Sequence, residues 1–394
     1  MMSASVEITG FDTTLRDGAQ SLPEEHQFSD EAKPDIADKL AKLGMGVIEA
    51  GFPATPGDTE RVTNVARIVG QTKYEVAVWK NGERTGLKQR TPVIAGLSRA
   101  KKSDIEATWG AVEGAKRPRI HTFVSTDPEH MATKFPDKSP EEVLIMGKEA
   151  VRFAKKLTEG RPDSTVEFSA EAASTTDLTF LERVVKEALS GGADIINVPD
   201  TVGQRDPFWM KKFYSKVIKW VMRTNPDATI SAHNHNDLDN ATANTMALVN
   251  AAVKYALMHD QTVRIQLETT ICGLGERAGN TDVFPVMANL HKFSPNMEVP
   301  VEWELNPGRS VQTANEVMES AGLSVDRQLP IVGSDINVHR SGIHSDAVLK
   351  GGSELYSPHD ATFWGHGETA VHEDGEYQGK RGREAARSAT RQTQ

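Results

Sequence analysis

The chain has 394 residues, 38% hydrophobic and 25% charged, enough to bury one large core and carry a smaller appended unit. Its net charge of -10 argues against a broad grip on a phosphate backbone, and its single cysteine, Cys272, excludes an internal disulfide and a cysteine-rich zinc site. No run of about 18 apolar residues occurs and the N-terminus lacks a basic segment followed by an apolar one, so neither a membrane span nor a signal peptide is expected and the cytoplasm is the expected location.

From about residue 5 to 290, short β-branched runs alternate with longer helical stretches, the pattern of a parallel sheet with helical crossovers. The expected strands are Val6 to Phe11, Gly46 to Ala50, Pro92 to Leu97, Arg119 to Val124, Thr165 to Phe168, Asp194 to Val198, Thr229 to His233 and Thr262 to Glu268. Eight such units suit a closed α/β barrel better than an open sheet. Helical punctuation supports the alternation. Ser29 can cap a helix whose apolar stripe is Ile36, Leu40 and Leu43 and which Gly44 ends; Asp177 opens another, with Leu181, Val184, Val185, Ala188 and Leu189 on one face before Gly191 and Gly192. These stripes read as core packing.

Two polar stretches, KNGERTGLKQR at 80–90 and MHDQTVR at 258–264, read as surface additions. Past residue 290 the alternation stops. Residues 291–366, rich in His and Gly, are expected to form a small mixed C-terminal subdomain, and 367–394 a disordered polar tail.

In a parallel barrel the loops after the strands converge on one face, so polar groups at strand ends are the functional candidates. They are Asp12, Arg16 and Asp17 after the first strand, His121 in the fourth, Glu167 and Glu171 around the fifth, Asp200 and Thr201 after the sixth, His233 and His235 at the seventh, and Asn280 after the eighth. His233 and His235, two apart on a strand, face the same side. Alone they read either as a hydrogen-bonded pair or as metal ligands. Asp17 in the same barrel mouth favours the metal, as one carboxylate and two imidazoles leave positions open for substrate oxygens and water.

The motifs FDTTLRDGAQ at 11–20, GFPATPGD at 51–58, HTFVSTDPEHMATKF at 121–135, HNHND at 233–237, GLGERAGN at 273–280 and SGIHSDAVLK at 341–350 together resemble the 2-isopropylmalate synthases. These belong to a wider group of metal-dependent Claisen-type synthases and related lyases. The resemblance implies a TIM (β/α)8 barrel and the joining of acetyl-CoA to 2-oxoisovalerate to give 2-isopropylmalate and CoA in leucine biosynthesis. It implies metal ligation by Asp17, His233, His235 and Asn280, with Mg, Mn or Zn left open, and a homodimer in which the C-terminal segment reaches the neighbouring subunit's active site. No nucleic-acid or membrane partner is expected.

The same resemblance assigns Glu171, His344 and Tyr356 to the catalytic group, and His121, Ser169 and Thr201 to the substrate carboxylate with Leu97 beside its side chain. Arg16 is the choice for the positive charge near the enolate oxygen, against a salt bridge to Asp12 or a glutamate in the mouth. Glu171 and His344 are expected to share proton removal, with Tyr356 orienting or protonating, while His339 reads as structural. Glu276 and Arg277 are expected to pair with each other, and Cys272 to be a small buried residue rather than a ligand. Family members commonly continue into a leucine-binding regulatory domain that this chain does not reach, so feedback inhibition through it is not expected. The alternatives are homocitrate or citramalate synthesis, using 2-oxoglutarate or pyruvate, then a hydroxymethylglutaryl-CoA-type lyase, and last a barrel with only a binding role.

Overall fold

The computed structural model describes residues 4–55, 57–368 and 370–371, so nearly all of the polar tail at 367–394 lies outside the described residues. Eleven strands form one sheet: β1 Ser5–Asp12, β2 Val47–Glu49, β3 Tyr74–Lys80, β4 Glu83–Arg90, β5 Val93–Arg99, β6 Pro118–Ser125, β7 Thr165–Glu171, β8 Ile195–Asn197, β9 Thr229–His233, β10 Thr262–Thr269 and β11 Val301–Glu304. Eight of them, β1, β2, β5, β6, β7, β8, β9 and β10, follow one another in parallel, and β10 pairs back onto β1 to close the ring. This is a TIM barrel, and its eight strands are the eight expected.

The helical crossovers start and stop where their residues dictate. Ala32 donates its N–H to Ser29 Oγ at 3.2 Å, Ile36, Leu40 and Leu43 are buried, and Gly44 leaves the helix Ala32–Leu43 at φ 109°, a left-handed conformation that glycine adopts without a Cβ clash. Asp177 accepts from the N–H groups of Thr179 and Phe180 to open the helix Leu178–Gly191, and Gly192 closes it.

Both polar interruptions belong to regular structure. Residues 83–90 of the first are β4, an exposed strand antiparallel to β3 around a turn in which Asn81 and Gly82 both have positive φ. Asn-Gly is the pair that such a tight hairpin favours. In the second, Met258 and His259 finish the helix Ala241–His259, Asp260 turns the chain at φ 51°, and Thr262 opens β10.

The hairpin reaches the barrel through β11, which runs antiparallel to β3 and parallel to the start of β1 at Val6 and Glu7. Trp79 and Trp303 stack here with centroids 5.3 Å apart, and Trp79 Nε1 donates to the Leu305 carbonyl at 2.9 Å. The chain divides into two compact units after Leu305, so residues 291–305 go with the barrel. The C-terminal unit has a helix Ser310–Ser320, a second helix Gly342–Gly351 and a short parallel pair, β12 Val338–His339 with β13 Ala370–Val371. Among the described residues no helix is long and apolar enough to cross a membrane.

Trp303 is 1% exposed. Trp303→Ala should therefore cost about 3–5 kcal/mol of stability, read from urea denaturation. A loss below about 1 kcal/mol would mean that the stacked pair is not a structural tie.

Candidate active site

After Asp12 the chain makes one wide turn, Thr14–Gly18, in which Gly18 N–H donates to the Thr13 carbonyl at 3.2 Å and Asp17 is buried. Such turns are found at functional sites because they redirect a side chain within a helical segment. β9 ends on His233, and His235, two residues on, forms an isolated antiparallel bridge with Asn280. Asp17, His233 and His235 each offer one ligand atom, and these atoms lie within 4.8 Å of one another. Asn280 joins them by donating Nδ2–H to Asp17 Oδ2 at 2.6 Å. The four residues inferred as ligands are thus in one place.

The chemistry of this group fits a divalent cation. Burial, then the neighbouring His233, pushes His235 down to about 3, so its imidazole is neutral at ordinary pH. Burial pushes Asp17 the other way, but Arg16, His233 and the Asn280 bond outweigh it and hold the carboxyl at about 2. The two Nε2 atoms are 3.2 Å apart, near the roughly 3 Å expected of two imidazoles at right angles on one ion. Among the described residues Asn280 Oδ1 and His235 Nδ1 are buried without a hydrogen-bond partner. One carboxylate, two imidazoles and an amide oxygen suit Mg, Mn or Zn.

Glycines in GLGERAGN make room for this group. A Cβ at Gly275 would stand 2.6 Å from Asn280 Cγ, and one at Gly279, where φ is 93°, would meet the Gly273 carbonyl oxygen at 2.2 Å.

Behind His233 runs a buried polar column that the sequence reading leaves partly unnamed. His233 Nδ1 lies 3.1 Å from Glu268 Oε2, and Ser231 Oγ donates to Glu268 Oε1 at 2.8 Å. Gln266 Nε2 donates to Ser231 Oγ and to Glu167 Oε1, and Arg119 reaches Glu167 Oε2 at 2.9 Å. Burial would protonate Glu268, but the bond to His233 and that ring's charge outweigh it, so Glu268 stays ionised and fixes the ring. Burial pushes Glu167 up to about 7 despite His121 and Arg119.

A cavity of about 230 Å³ opens beside the metal group, lined by Arg16, Asp17, Leu97, His121, Ser169, Glu171, Thr201, His233 and His235. Phe123, Asn197, Pro199 and Glu268 complete the wall without having been foreseen, together with Glu276 and Arg277, which were expected only as an ion pair. Arg16 pairs with Asp17 at 2.5 Å and with Glu49 at 2.7 Å, rather than with Asp12. Glu49 also accepts from Thr13 Oγ1 and faces His121 Nδ1 at 2.6 Å, so one buried carboxylate orients both cavity residues. Glu49 could have been noticed as a lone acid inside an apolar strand, and Glu268 likewise.

Glu171 accepts from Lys134 Nζ on both oxygens at 2.7 Å and from Ser125 Oγ. Thr201 Oγ1 accepts from Ala172 N–H at 3.0 Å. Asp12 and Asp200 hold loops instead of facing the cavity: Asp12 takes Thr14 N–H and Oγ1, and Asp200 takes Ser174 Oγ. The expected pairing of Glu276 with Arg277 gives way to an Arg277–Asp237 bridge at 2.7 Å, which a longer reach across loops makes possible. Cys272 is half-buried, its thiol pushed well up by burial, and stands outside the metal group. His344 and Tyr356 belong to the C-terminal unit, where their rings stack 3.9 Å apart, with His339 at 6.0 Å and 6.2 Å from them.

Glu268→Gln should weaken divalent-cation binding about 10- to 100-fold in calorimetric titration with Mn²⁺; an unchanged affinity would mean that the carboxylate does not orient His233. Burial also pushes Asp12 up to about 7 from an ordinary 3.8. The folded chain then keeps a proton that the unfolded chain gives up, so stability falls as pH rises between these two values. Asp12→Asn should flatten that decline in denaturation curves taken from pH 4 to 8, and an unaltered slope would assign it to other groups.

A family model described as HMGL-like matches residues 7–315. The 2-isopropylmalate synthase of Heliobacterium modesticaldum is 39% identical over 351 residues, which are 88% of this chain and 60% of that protein. The chloroplastic 2-isopropylmalate synthase 2 of Arabidopsis thaliana is 39% identical over 356 residues, 89% of this chain and 51% of its own length. The chain thus spans about half to three-fifths of these curated relatives. The solved HMG-CoA lyase of Bacillus subtilis superposes with a TM-score of 0.58 at 17% identity, covering 84% of this chain and 99% of that one, a likeness of fold. With its barrel and most of its length matched by the family model, this chain belongs to the HMGL-like family.

Proposed function

We propose that the chain condenses the acetyl group of acetyl-CoA with 2-oxoisovalerate to give 2-isopropylmalate and CoA, a step toward leucine. The observation that carries this reading is the grouping of Asp17, His233 and His235 beside a small cavity that also takes in Arg16, His121 and Ser169. The names of the relatives at 39% identity support the choice of substrates.

In this reading Asp17, His233, His235 and Asn280 hold a divalent cation, which when bound supplies Lewis-acid polarisation of the keto group. The remaining roles fall to side chains. Arg16, clamped by Glu49 and Asp17, keeps further N–H donors for the oxygen that becomes negative as the thioester loses a methyl proton. Glu171 and His344 take that proton, and Tyr356 orients or returns it. His121, Ser169 and Thr201 hold the 2-oxo acid's carboxylate, and Leu97 packs against its side chain. A cavity of about 230 Å³ is below the roughly 300–1,000 Å³ usual for larger ligands, in keeping with a small acid.

We infer further that the protein works as a cytoplasmic homodimer, with His344 and Tyr356 delivered to the neighbour's barrel by the C-terminal unit that begins after Leu305, and with no nucleic-acid or membrane partner. Its net charge of -10 is in keeping with the last point.

The reading is tested by thiol release from acetyl-CoA with Mg²⁺ or Mn²⁺, run against 2-oxoisovalerate, pyruvate and 2-oxoglutarate. Release should require a 2-oxo acid, be fastest with 2-oxoisovalerate and fall to background on chelation. A preference for pyruvate or 2-oxoglutarate would replace the substrate with that of a citramalate or homocitrate synthase. Cleavage of hydroxymethylglutaryl-CoA with no condensation would overturn the synthase reading.

A further inference from the structure

The helix Pro207–Thr224 buries Phe213, Tyr214, Val217, Ile218 and Val221 in the core and leaves Lys212, Lys216, Lys219 and Arg223 exposed. Positions spaced four, three and four apart share one helix face, so these cations form a row. Lys211 makes a fifth cation, and the 18 residues of the helix include no acid. Its N-cap, Asp206, is occupied by the N–H groups of Phe208 and Trp209. Among the described residues none of the five cations has an ion-pair partner.

The fold gains nothing from this row, because like charges one turn apart on a helix repel each other. Elsewhere the surface helices neutralise their cations: Lys39 pairs with Asp35, Lys42 with Asp38 and Lys350 with Asp346. The partial negative charge at a helix C-terminus attracts cations, but that effect is confined to the last turn, which holds Arg223 and not the lysines. On a chain with a net charge of -10, a row of unneutralised cations is a local exception, and an anion is its complement.

Lys216, Lys219 and Arg223 border a cavity of about 380 Å³ between this helix and the start of the helix Leu178–Gly191. That volume lies within the roughly 300–1,000 Å³ of small-molecule sites. Half-buried Trp220 gives the cavity a flat wall and an indole N–H with no partner among the described residues, and Thr179 adds a hydroxyl. Glu182, the carboxylate in that wall, is already neutralised by Lys186 at 2.6 Å. From Lys216 to Arg223 the row runs along roughly 10 Å of helix axis, more than one phosphate covers and suited to a chain of them.

We propose that this groove binds a nucleoside triphosphate, its phosphates along Lys216, Lys219 and Arg223 and its base against the Trp220 indole. Ammonium and guanidinium groups make charge-assisted hydrogen bonds to phosphate, and an indole offers a stacking surface to any base. The groove shares no residue with the cavity beside the metal group, so it is a second site. The inference goes beyond the condensation reading and stands without it.

The test is calorimetric titration with ATP at physiological salt, on protein freed of divalent metal. One nucleotide should bind per chain, and more tightly than tripolyphosphate does. Replacing Lys216 and Lys219 together by Glu should weaken ATP binding at least about tenfold. Trp220→Leu should weaken ATP binding and leave tripolyphosphate binding as it was. Lys216→Glu alone relieves the repulsion with Lys212 and Lys219, so its thermal denaturation midpoint should equal or exceed that of the wild type while its ATP affinity falls. No saturable binding, an equal ATP affinity in the wild type and the double variant, or ATP held no better than tripolyphosphate overturns the proposal. A lowered midpoint in Lys216→Glu overturns it as well, because the row would then serve the fold.

Discussion

The pairing of β1 with β10, in register from Ser5 opposite Thr262 to Asp12 opposite Thr269, is the constraint on which the site depends. It joins the first strand of the ring to the last, and so sets the loop after β1 against the loop after β10. Thr14 Oγ1 then accepts Ile271 N–H at 2.9 Å, and Asn280 reaches Asp17. Contacts between positions so far apart carry a large loop-closure cost when made alone. Here the ladder of the closed ring meets that cost, and the polar groups at its upper end are assembled as a by-product.

The second constraint is charge. Asp17, Glu49 and Glu268 are buried within one small region, and each is ionised because a guanidinium or imidazole stands against it. Asp12 and Asp282 have no such partner among the described residues, and burial pushes both up to about 7. Among these five, the ionised carboxylates face the metal group, Arg16 or the histidines, while the raised ones tie down loops; Glu167, raised to about 7 even with Arg119 against it, belongs to the buried column instead. Both Glu49 and Glu268 act by orienting rather than by touching the cavity's centre, and Arg16 is held on two sides before any ligand arrives.

Much of this was legible in the sequence, and the misses have physical causes. All eight barrel strands could be read because each is a short apolar run fenced by helical stretches, and caps such as Asp177 and Gly44 announce themselves locally. Asp17, His233 and His235 were found because polar residues at strand ends stand out against apolar neighbours. β3 and β11 escaped because a hairpin outside the barrel breaks the alternation that identified everything else, although Asn81-Gly82 marked its turn. Glu49 closes β2 and Glu268 stands one residue before the end of β10, and both escaped because the expected strands ran through or onto them, where an acid looks like noise until its partners from other strands are known. The Arg277–Asp237 bridge joins two loops whose proximity only the fold supplies.

β4 ends the sheet with one edge unpaired, its residues Glu83 to Lys88 and Gln89 open to solvent. A bare row of peptide groups of this kind can template a strand from another molecule, the first step toward fibrils. Here Arg84 and Lys88 stud that row with charge, and Lys88, with the largely buried Arg90, is anchored two strands away on Glu304. The same side chains that fasten the hairpin therefore also make self-templating costly, and the margin of the protein is guarded against aggregation by residues far from its chemistry.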